Sequence, residues 1–119
     1  NAANTKAYGC ETYYCTGSTQ GRALAECVQP HMTAETERYN RGVKSANFAV
    51  IKHTNMPAIL VETAFIDNYD DNRFLASDDG KYKCAVGIYK GICNYFVADT
   101  FILFNFIVEE RKNQIESIW

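Results

Sequence analysis

The first hydrophobic segment of the chain predicts a buried strand. Residues 7–15, AYGCETYYC, are rich in aromatic and apolar side chains and lack a helical period. This pattern favours a strand that is covered on both faces at the centre of a sheet. Glu11 interrupts the segment, and a carboxylate in such a place needs a partner. We expect Arg41 or Lys44 to supply the opposite charge.

A helix with a clear start signal is predicted next. Ser18 is a suitable N-cap. An apolar stripe with helical spacing follows it at Leu24, Cys27, Val28 and His31. Pro30 should end or kink the helix near Gln29, because proline lacks the backbone donor that the helix requires. The polar residues 33–42 then predict a loop.

Two further strands are predicted in the middle of the chain. Residues 46–52, ANFAVIK, form the second strand. Residues 58–61, AILV, form a third strand that is short and continuously apolar, as in a buried parallel sheet. Glu62 stands at the carboxyl end of this third strand, inside a run that is otherwise apolar or small. Ligand sites of open α/β sheets lie beyond the carboxyl ends of strands, so Glu62 is a candidate functional residue.

Two helices are predicted in the second half of the chain. Asn68 or Asp70 should cap a short one. A longer one should cover about residues 79–96, where apolar side chains keep helical spacing. Gly87 and Gly91 lie four residues apart on another face of this helix. Glycine weakens a helix, so close packing against a neighbour is the expected reason for both.

The last part of the chain, residues 97–119, differs in character from the rest. It contains the β-prone apolar run FILFNFIV at 101–108, followed abruptly by the polar residues EERKNQ. This run could add a strand to an open sheet edge. The whole order of strand, helix, strand, strand, helix predicts a layered α/β domain.

Composition narrows the class of protein. The chain has 119 residues, is 47% hydrophobic and carries a net charge of −2, which suits one small globular domain or a part of a larger one. Its basic residues are scattered, which argues against a nucleic-acid partner. No apolar run is long enough for a transmembrane segment. The chain begins with Asn1, and we expect it to be a fragment or a processed product.

The candidate metal ligands make a poor site by themselves. The five cysteines contain no CxxC pair and are expected in the core rather than in disulfides. His31 and Cys27 have a spacing that zinc can use, but they lack a third ligand, and His53 stands apart. From the residues alone, Glu62 is better explained as a structural ion-pair partner of Arg41 or Lys44 than as a catalytic group.

Four motifs resemble one enzyme family when they are taken in order. They are NAA at 1–3, GCETYY at 9–14, NRGVKSANFAVIKHTNMPAILVETAFIDN at 40–68 and AVGIYKGICNYF at 85–96. Together they resemble the C-terminal part of the zinc-dependent N-acetylmuramoyl-L-alanine amidases, which cleave the amide between N-acetylmuramic acid and L-alanine in peptidoglycan. The resemblance covers about residues 1–96 and leaves 97–119 as an atypical tail.

The resemblance implies a role for Glu62 and places the metal ligands elsewhere. The catalytic glutamate of the family, at the end of a Leu-Val-Glu strand, matches Glu62. A carboxylate there takes a proton from the attacking water and returns one to the leaving nitrogen. The family's Zn²⁺ is held by two histidines and a glutamate, and the last of these ligands would lie just before Asn1, so we expect no metal ligand in this chain. Arg41 could bind a carboxylate of the substrate or could simply anchor a loop.

The resemblance also implies a fold, a location and an activity. The fold would be a three-layer α/β domain with a mixed, mostly parallel sheet flanked by helices, truncated here at its N-terminus. The parent enzyme would act on peptidoglycan outside the cell or in its wall, and residues 1–119 alone would be inactive for lack of zinc ligands. The alternative is a non-catalytic muropeptide-binding module or a decayed remnant of such an enzyme.

Overall fold

The sheet is built from three short strands, and helices follow each of them. The computed structural model describes residues 6–118, without the side chains of 99–104, 106 and 115–118. The strands within this range are β1 (Cys10–Tyr14), β2 (Asn40–Ser45) and β3 (Ile59–Glu62). The helices are α1 (Thr19–Thr36), α2 (Ala49–Lys52), α3 (Tyr69–Ala76) and α4 (Asp78–Ile118).

The predicted central strand is confirmed, and the sheet is mixed. The strand order is β2-β1-β3, with β2 parallel and β3 antiparallel to β1. The third strand, β3, was expected to lie in a parallel sheet. This expectation is wrong for its described neighbour, β1, to which β3 is antiparallel. An apolar run reports that a strand is covered, whereas its direction depends on how the connections return to the sheet.

The second strand was predicted at the wrong place. Residues 46–52 contain the short helix α2, and β2 lies earlier, beginning at Asn40 near the end of residues 33–42, which predicted a loop. Because β2 is half-exposed along most of its length, apolar alternation does not mark it. The register shifts by one residue between Cys10 and Thr12, where the opposing Gly42 has φ +84°. Glycine adopts this left-handed conformation without strain, as bulges require.

The first helix starts where the sequence predicted and runs further. The Ser18 side chain accepts a hydrogen bond from the Gly21 backbone N–H at 3.0 Å, so the N-cap is confirmed. Pro30 neither ends nor interrupts the helix, contrary to the expectation. Pro30 is exposed, so water can solvate the carbonyl that proline leaves without a donor. Val28 and Met32, fully buried on either side of Pro30, hold the helix in place.

Helices α1 and α4 pack closely at the two glycines. A Cβ atom at Gly87 would lie 3.0 Å from Met32 Cα, and one at Gly91 would overlap Val28 Cα. The predicted close approach at Gly87 and Gly91 is therefore confirmed. This contact covers one face of the sheet with a core of Cys10, Val28, Met32 and Cys84.

The N-cap predicted for the short helix is confirmed, but the predicted end of the last helix is wrong. The Asn68 side chain accepts a hydrogen bond from the Asp71 backbone N–H and caps α3. Helix α4 continues without a break through the β-prone run to Ile118. Extending an existing helix requires no new nucleation, and β-propensity without strand partners is weak.

The extension of α4 gives the molecule its length. The principal dimensions are 69 × 29 × 19 Å. The packed part of α4 ends near Tyr95, which is buried, since Phe96 and Val97 are 61% and 67% exposed. None of the helices in the described part of the chain has the length and apolar character that crossing a bilayer requires.

Candidate active site

Two glutamates face each other on adjacent strands. The antiparallel register of β1 and β3 places Glu11 directly opposite Glu62. Directly opposed residues project their side chains to the same face of a sheet. Thr12 points to the other face, where its hydroxyl donates to Gln29 Oε1 of α1 at 2.8 Å. The two carboxylates therefore belong to the face that α1 does not cover.

Glu62 is exposed rather than embedded in apolar side chains. It ends a strand whose other residues are half-buried, and that strand is an edge of the described sheet. The apolar run around Glu62 thus reflects cover on one face, and the side chain at the strand end reaches solvent. The structural alternative for Glu62 is wrong, because Arg41 and Lys44 both bind Glu11 and no ion pair described here includes Glu62.

Glu11 is the buried carboxylate of the site. Only 6% of its side chain is exposed. Arg41 Nε donates to Glu11 Oε2 at 2.9 Å, Lys44 Nζ donates to the same oxygen, and Tyr13 Oη donates to Oε1 at 2.8 Å. The predicted partners of Glu11 are therefore both present.

The cluster shifts the pKa values of its members in opposite directions. Burial alone would raise the pKa of Glu11, but the hydrogen bonds from Lys44, Tyr13 and Arg41 outweigh it and hold that pKa below its usual 4.5. Burial and the hydrogen bond to Glu11 raise the pKa of Tyr13 to about 12. Near neutral pH the cluster therefore contains an ionised Glu11 and a protonated Tyr13.

Aromatic rings support the two cations. The Arg41 guanidinium lies 4.9 Å from the centre of the Phe65 ring, and Lys44 Nζ lies 5.9 Å from that of Tyr13. The Tyr13 ring also meets Phe48 edge-on at 5.1 Å. Arg41 and Lys44 remain partly open, with 28% and 38% of their side chains exposed. The arrangement offers an exposed carboxylate at Glu62, and Glu11 on the opposite strand holds two partly exposed positive charges.

The described residues do not form a metal centre. Between residues 6 and 118, no three described His, Cys, Asp or Glu side chains are grouped closely enough to hold a metal ion. His31 lies on α1, and His53 is an exposed residue that follows α2. None of the five cysteines forms a disulfide bond in the described structure. A Zn²⁺ site therefore does not fit this part of the chain.

Sequence reasoning treated Arg41 and Lys44 as alternative partners of Glu11, and it missed that Tyr13 joins both of them in one group. The signal that could have found this group was Glu11 itself, an acidic residue inside an aromatic strand. Two positions separate Glu11 from Tyr13, so both point to the same face of a strand. The position of Arg41 and Lys44 beside them depends on β2, which the sequence did not reveal.

Comparison with known proteins identifies one family. The family model described as N-acetylmuramoyl-L-alanine amidase (Amidase_3) matches residues 1–94. The chain is 43% identical over 90 residues to the N-acetylmuramoyl-L-alanine amidase LytC of Bacillus subtilis. This alignment covers 74% of this chain and 18% of LytC. A cell wall amidase of Bacillus anthracis, itself described as uncharacterized, is 35% identical to this chain. The alignment covers 81% of this chain and 20% of that protein.

Solved structures share the fold. An N-acetylmuramoyl-L-alanine amidase from Clostridium difficile superposes with a TM-score of 0.76 and 30% identity, over 81% of this chain and 52% of that one. AmiC2 of Nostoc punctiforme gives a TM-score of 0.73 and 34% identity, with the same coverage of 81% and 52%. The chain thus spans about half of these solved chains and about a fifth of the two curated relatives.

Proposed function

Because this chain belongs to the N-acetylmuramoyl-L-alanine amidase family, we propose that it is the Glu62-bearing part of a peptidoglycan hydrolase. The bond cleaved is the amide between N-acetylmuramic acid and L-alanine. The observation that carries the proposal is the exposed carboxylate of Glu62 at the end of β3, opposite the charged Glu11 cluster. Residues 1–96 would form the C-terminal part of the catalytic domain, and 97–119 an atypical tail.

Glu62 acts as general base and then as general acid. Its carboxylate accepts a proton from water as the water oxygen bonds to the amide carbon. The same proton passes to the nitrogen as the C–N bond breaks, which releases the amine of L-alanine. An exposed position at a strand end suits this role, because the backbone of Glu62 is fixed by pairing with β1 while its side chain can reach a substrate.

Arg41 binds a carboxylate of the substrate in this proposal. Its Nε is held by Glu11 and its plane lies over Phe65, which orients the guanidinium before a ligand arrives. The planar fork of arginine suits a carboxylate better than the point charge of lysine does.

The cofactor of the whole enzyme in this proposal is Zn²⁺, which when bound would polarise the amide carbonyl. Its ligands would have to come from outside the described residues, since these contain no suitable group. The enzyme would act on peptidoglycan in the cell wall, in keeping with the cell wall amidase among its relatives.

A binding module without catalysis is the second candidate, because the side chains described within residues 6–118 include no three-ligand group. Glu62→Gln in the full-length natural protein separates the two candidates. We expect cell-wall lysis, followed by turbidity, to fall by about 10²–10⁴-fold, as for the loss of a general base. Binding of a muropeptide, followed by calorimetry, should change little.

The matched control is Glu110→Gln, which removes an exposed carboxylate from the extension of α4. It should leave lysis unchanged. Lysis that survives Glu62→Gln undiminished would refute the catalytic role of Glu62. A wild-type protein that binds muropeptide and never lyses walls would support the binding module.

A further inference from the structure

We propose that a cavity at the N-terminal end of β1 binds a primary ammonium group. The cavity has a volume of about 360 Å³ and opens between the start of β1, the loop from α1 to β2, and the first turn of α3. Its walls carry two tyrosines, Tyr8 and Tyr39, and the acidic residues Glu37, Asp70 and Asp71. The positive charge of Arg38 also lines it.

The Arg38 charge is already compensated inside the cavity. Arg38 Nη1 lies 3.6 Å from Asp71 Oδ1, and Asp71 is only 2% exposed. The other oxygen of Asp71 accepts the backbone N–H groups of Gly9 at 2.8 Å and Phe65 at 3.0 Å. The Asp71–Arg38 pair therefore forms a fixed floor with little net charge.

The remaining charges of the cavity favour a cation. Glu37 and Asp70 are exposed at its rim, and the ion pairs described for this chain include neither. Lys83 lies near Glu37 but pairs with Asp79 at 3.0 Å. An anion would be repelled by the two rim carboxylates, whereas an ammonium group would be attracted.

The two tyrosines also favour a cation in the cavity. Their ring centroids lie 5.1 Å apart with the planes tilted by 44°. Tyr8 is 48% exposed and Tyr39 is 57% exposed, so the rings are accessible. The face of an aromatic ring attracts cations, and rings beside carboxylates are typical of sites for ammonium ligands.

The cavity lies at the same end of the sheet as Glu62. Tyr8 stands three residues before Glu11, which pairs directly with Glu62, and Asp70 follows Glu62 after a short loop. If the proposed function holds, on which this assignment of the ligand rests, the ammonium group belongs to the peptide of the wall substrate. Its capture would position the peptide while Glu62 acts on the amide.

The probe is Nα-acetyl-L-lysine amide, titrated into the ¹⁵N-labelled chain and followed by heteronuclear NMR. The control ligand is the Nα,Nε-diacetyl form, which has the same skeleton without the charge. We expect the amide signals of Tyr8, Tyr39 and Asp70 to shift with the lysine probe. The diacetyl form should bind about two- to fivefold more weakly, the range that a single exposed cation–π contact provides.

Asp70→Asn should weaken binding of the lysine probe by about fivefold, because it removes one rim charge while keeping the side-chain shape. Asp67→Asn is the matched control, since Asp67 is exposed three positions earlier and does not line the cavity. Tyr39→Ala, at an exposed side chain, should weaken binding similarly. Equal binding of both ligands, or equal affinities in the two aspartate variants, would overturn the proposal.

These outcomes are independent of hydrolysis. If the lysine probe binds and the full-length protein never cleaves cell walls, the ammonium site stands and the proposed function fails. If Glu62→Gln abolishes cleavage and the probe does not bind, only the ammonium site is refuted.

Discussion

At the scale of single residues, the charge of Glu11 is the main electrostatic feature of the sheet. A buried carboxylate is tolerated only when hydrogen bonds and opposite charges replace the water that it has lost. Arg41, Lys44 and Tyr13 fulfil this condition together. The same contacts hold Arg41 and Lys44 next to Glu11, which pairs directly with Glu62, so a structural ion cluster also shapes the candidate active site.

The first prediction concerns Glu11→Gln. Above pH 5 the free energy of unfolding of the variant should be about 1–3 kcal/mol lower than that of wild type, because two partly buried cations lose their shared counter-charge. The folded pKa of Glu11 lies below 4.5, so its stabilisation is complete above that pH and is lost as the pH falls through the folded pKa. Urea denaturation at several pH values measures the difference.

The control for this prediction is Glu26→Gln, which removes a carboxylate from an exposed pair with Arg22. It should change the free energy of unfolding by less than about 1 kcal/mol at any pH. A difference between wild type and Glu11→Gln that stays constant down to pH 2 would contradict the role given to the Glu11 charge.

At the scale of elements, the contact between α1 and α4 determines how the core is closed. Gly87 and Gly91 let the backbones of the two helices approach, with Met32 and Val28 filling the space that side chains would otherwise take. This explains why a helix retains two residues that weaken it intrinsically. It also shows why α1 continues through Pro30, since Met32 beyond the proline is needed in the contact.

The second prediction concerns Gly91→Ala. In an isolated helix this change would stabilise by up to about 1 kcal/mol. Here the new methyl group would overlap Val28, so we expect a net loss of about 1–3 kcal/mol, as for overpacked cores. Asn94→Ala, at an exposed position of the same helix, reports propensity alone and should be neutral or slightly stabilising. Chemical denaturation of both variants is the measurement, and an unchanged or raised stability of Gly91→Ala would refute the close contact.

At the scale of the whole molecule, α4 links a layered domain to a helical extension. Side chains described beyond Phe96 are mostly exposed, and the ion pair described there, Lys112 with Glu109, lies within the extension itself. The core of Cys10, Val28, Met32 and Cys84 lies entirely before that point. We therefore propose that the extension is energetically separate from the sheet.

The third prediction follows from this separation. Removing residues 98–119 should lower the melting temperature by no more than about 4 °C, which corresponds to roughly 1 kcal/mol in a domain of this size. Helical circular dichroism should decrease in proportion to the residues removed. Loss of cooperative unfolding in the shortened chain would show that the extension belongs to the core.

The fourth prediction concerns the metal. The chain of residues 1–119 should bind Zn²⁺ weakly, with a dissociation constant above about 1 µM. Catalytic zinc sites use three protein ligands, and the described residues contain no group of three such side chains. It should also fail to lyse cell walls. Calorimetric titration and a turbidity assay test both statements, and tight binding accompanied by lysis would mean that His31, His53 or the cysteines form a site.

The sequence by itself determined what depends on near neighbours and on composition. The caps at Ser18 and Asn68, the central position of β1 and the close packing at Gly87 and Gly91 follow from local chemistry. The need of Glu11 for a cationic partner follows from its place inside an aromatic strand. The resemblance of the motifs fixed the family, which the match over residues 1–94 confirms. The role of Glu62 remains a prediction.

The tertiary structure alone decided what depends on distant contacts. The direction of β3, the polar strand β2, the passage of α1 through Pro30 and the continuation of α4 all contradict or escape local propensity, because packing partners outweigh preferences of a fraction of a kcal/mol per residue. The exposure of Glu62 has the same origin. Whether a carboxylate is buried depends on which strand lies beside it, and only the folded sheet shows that Glu11 receives the cations while Glu62 faces solvent.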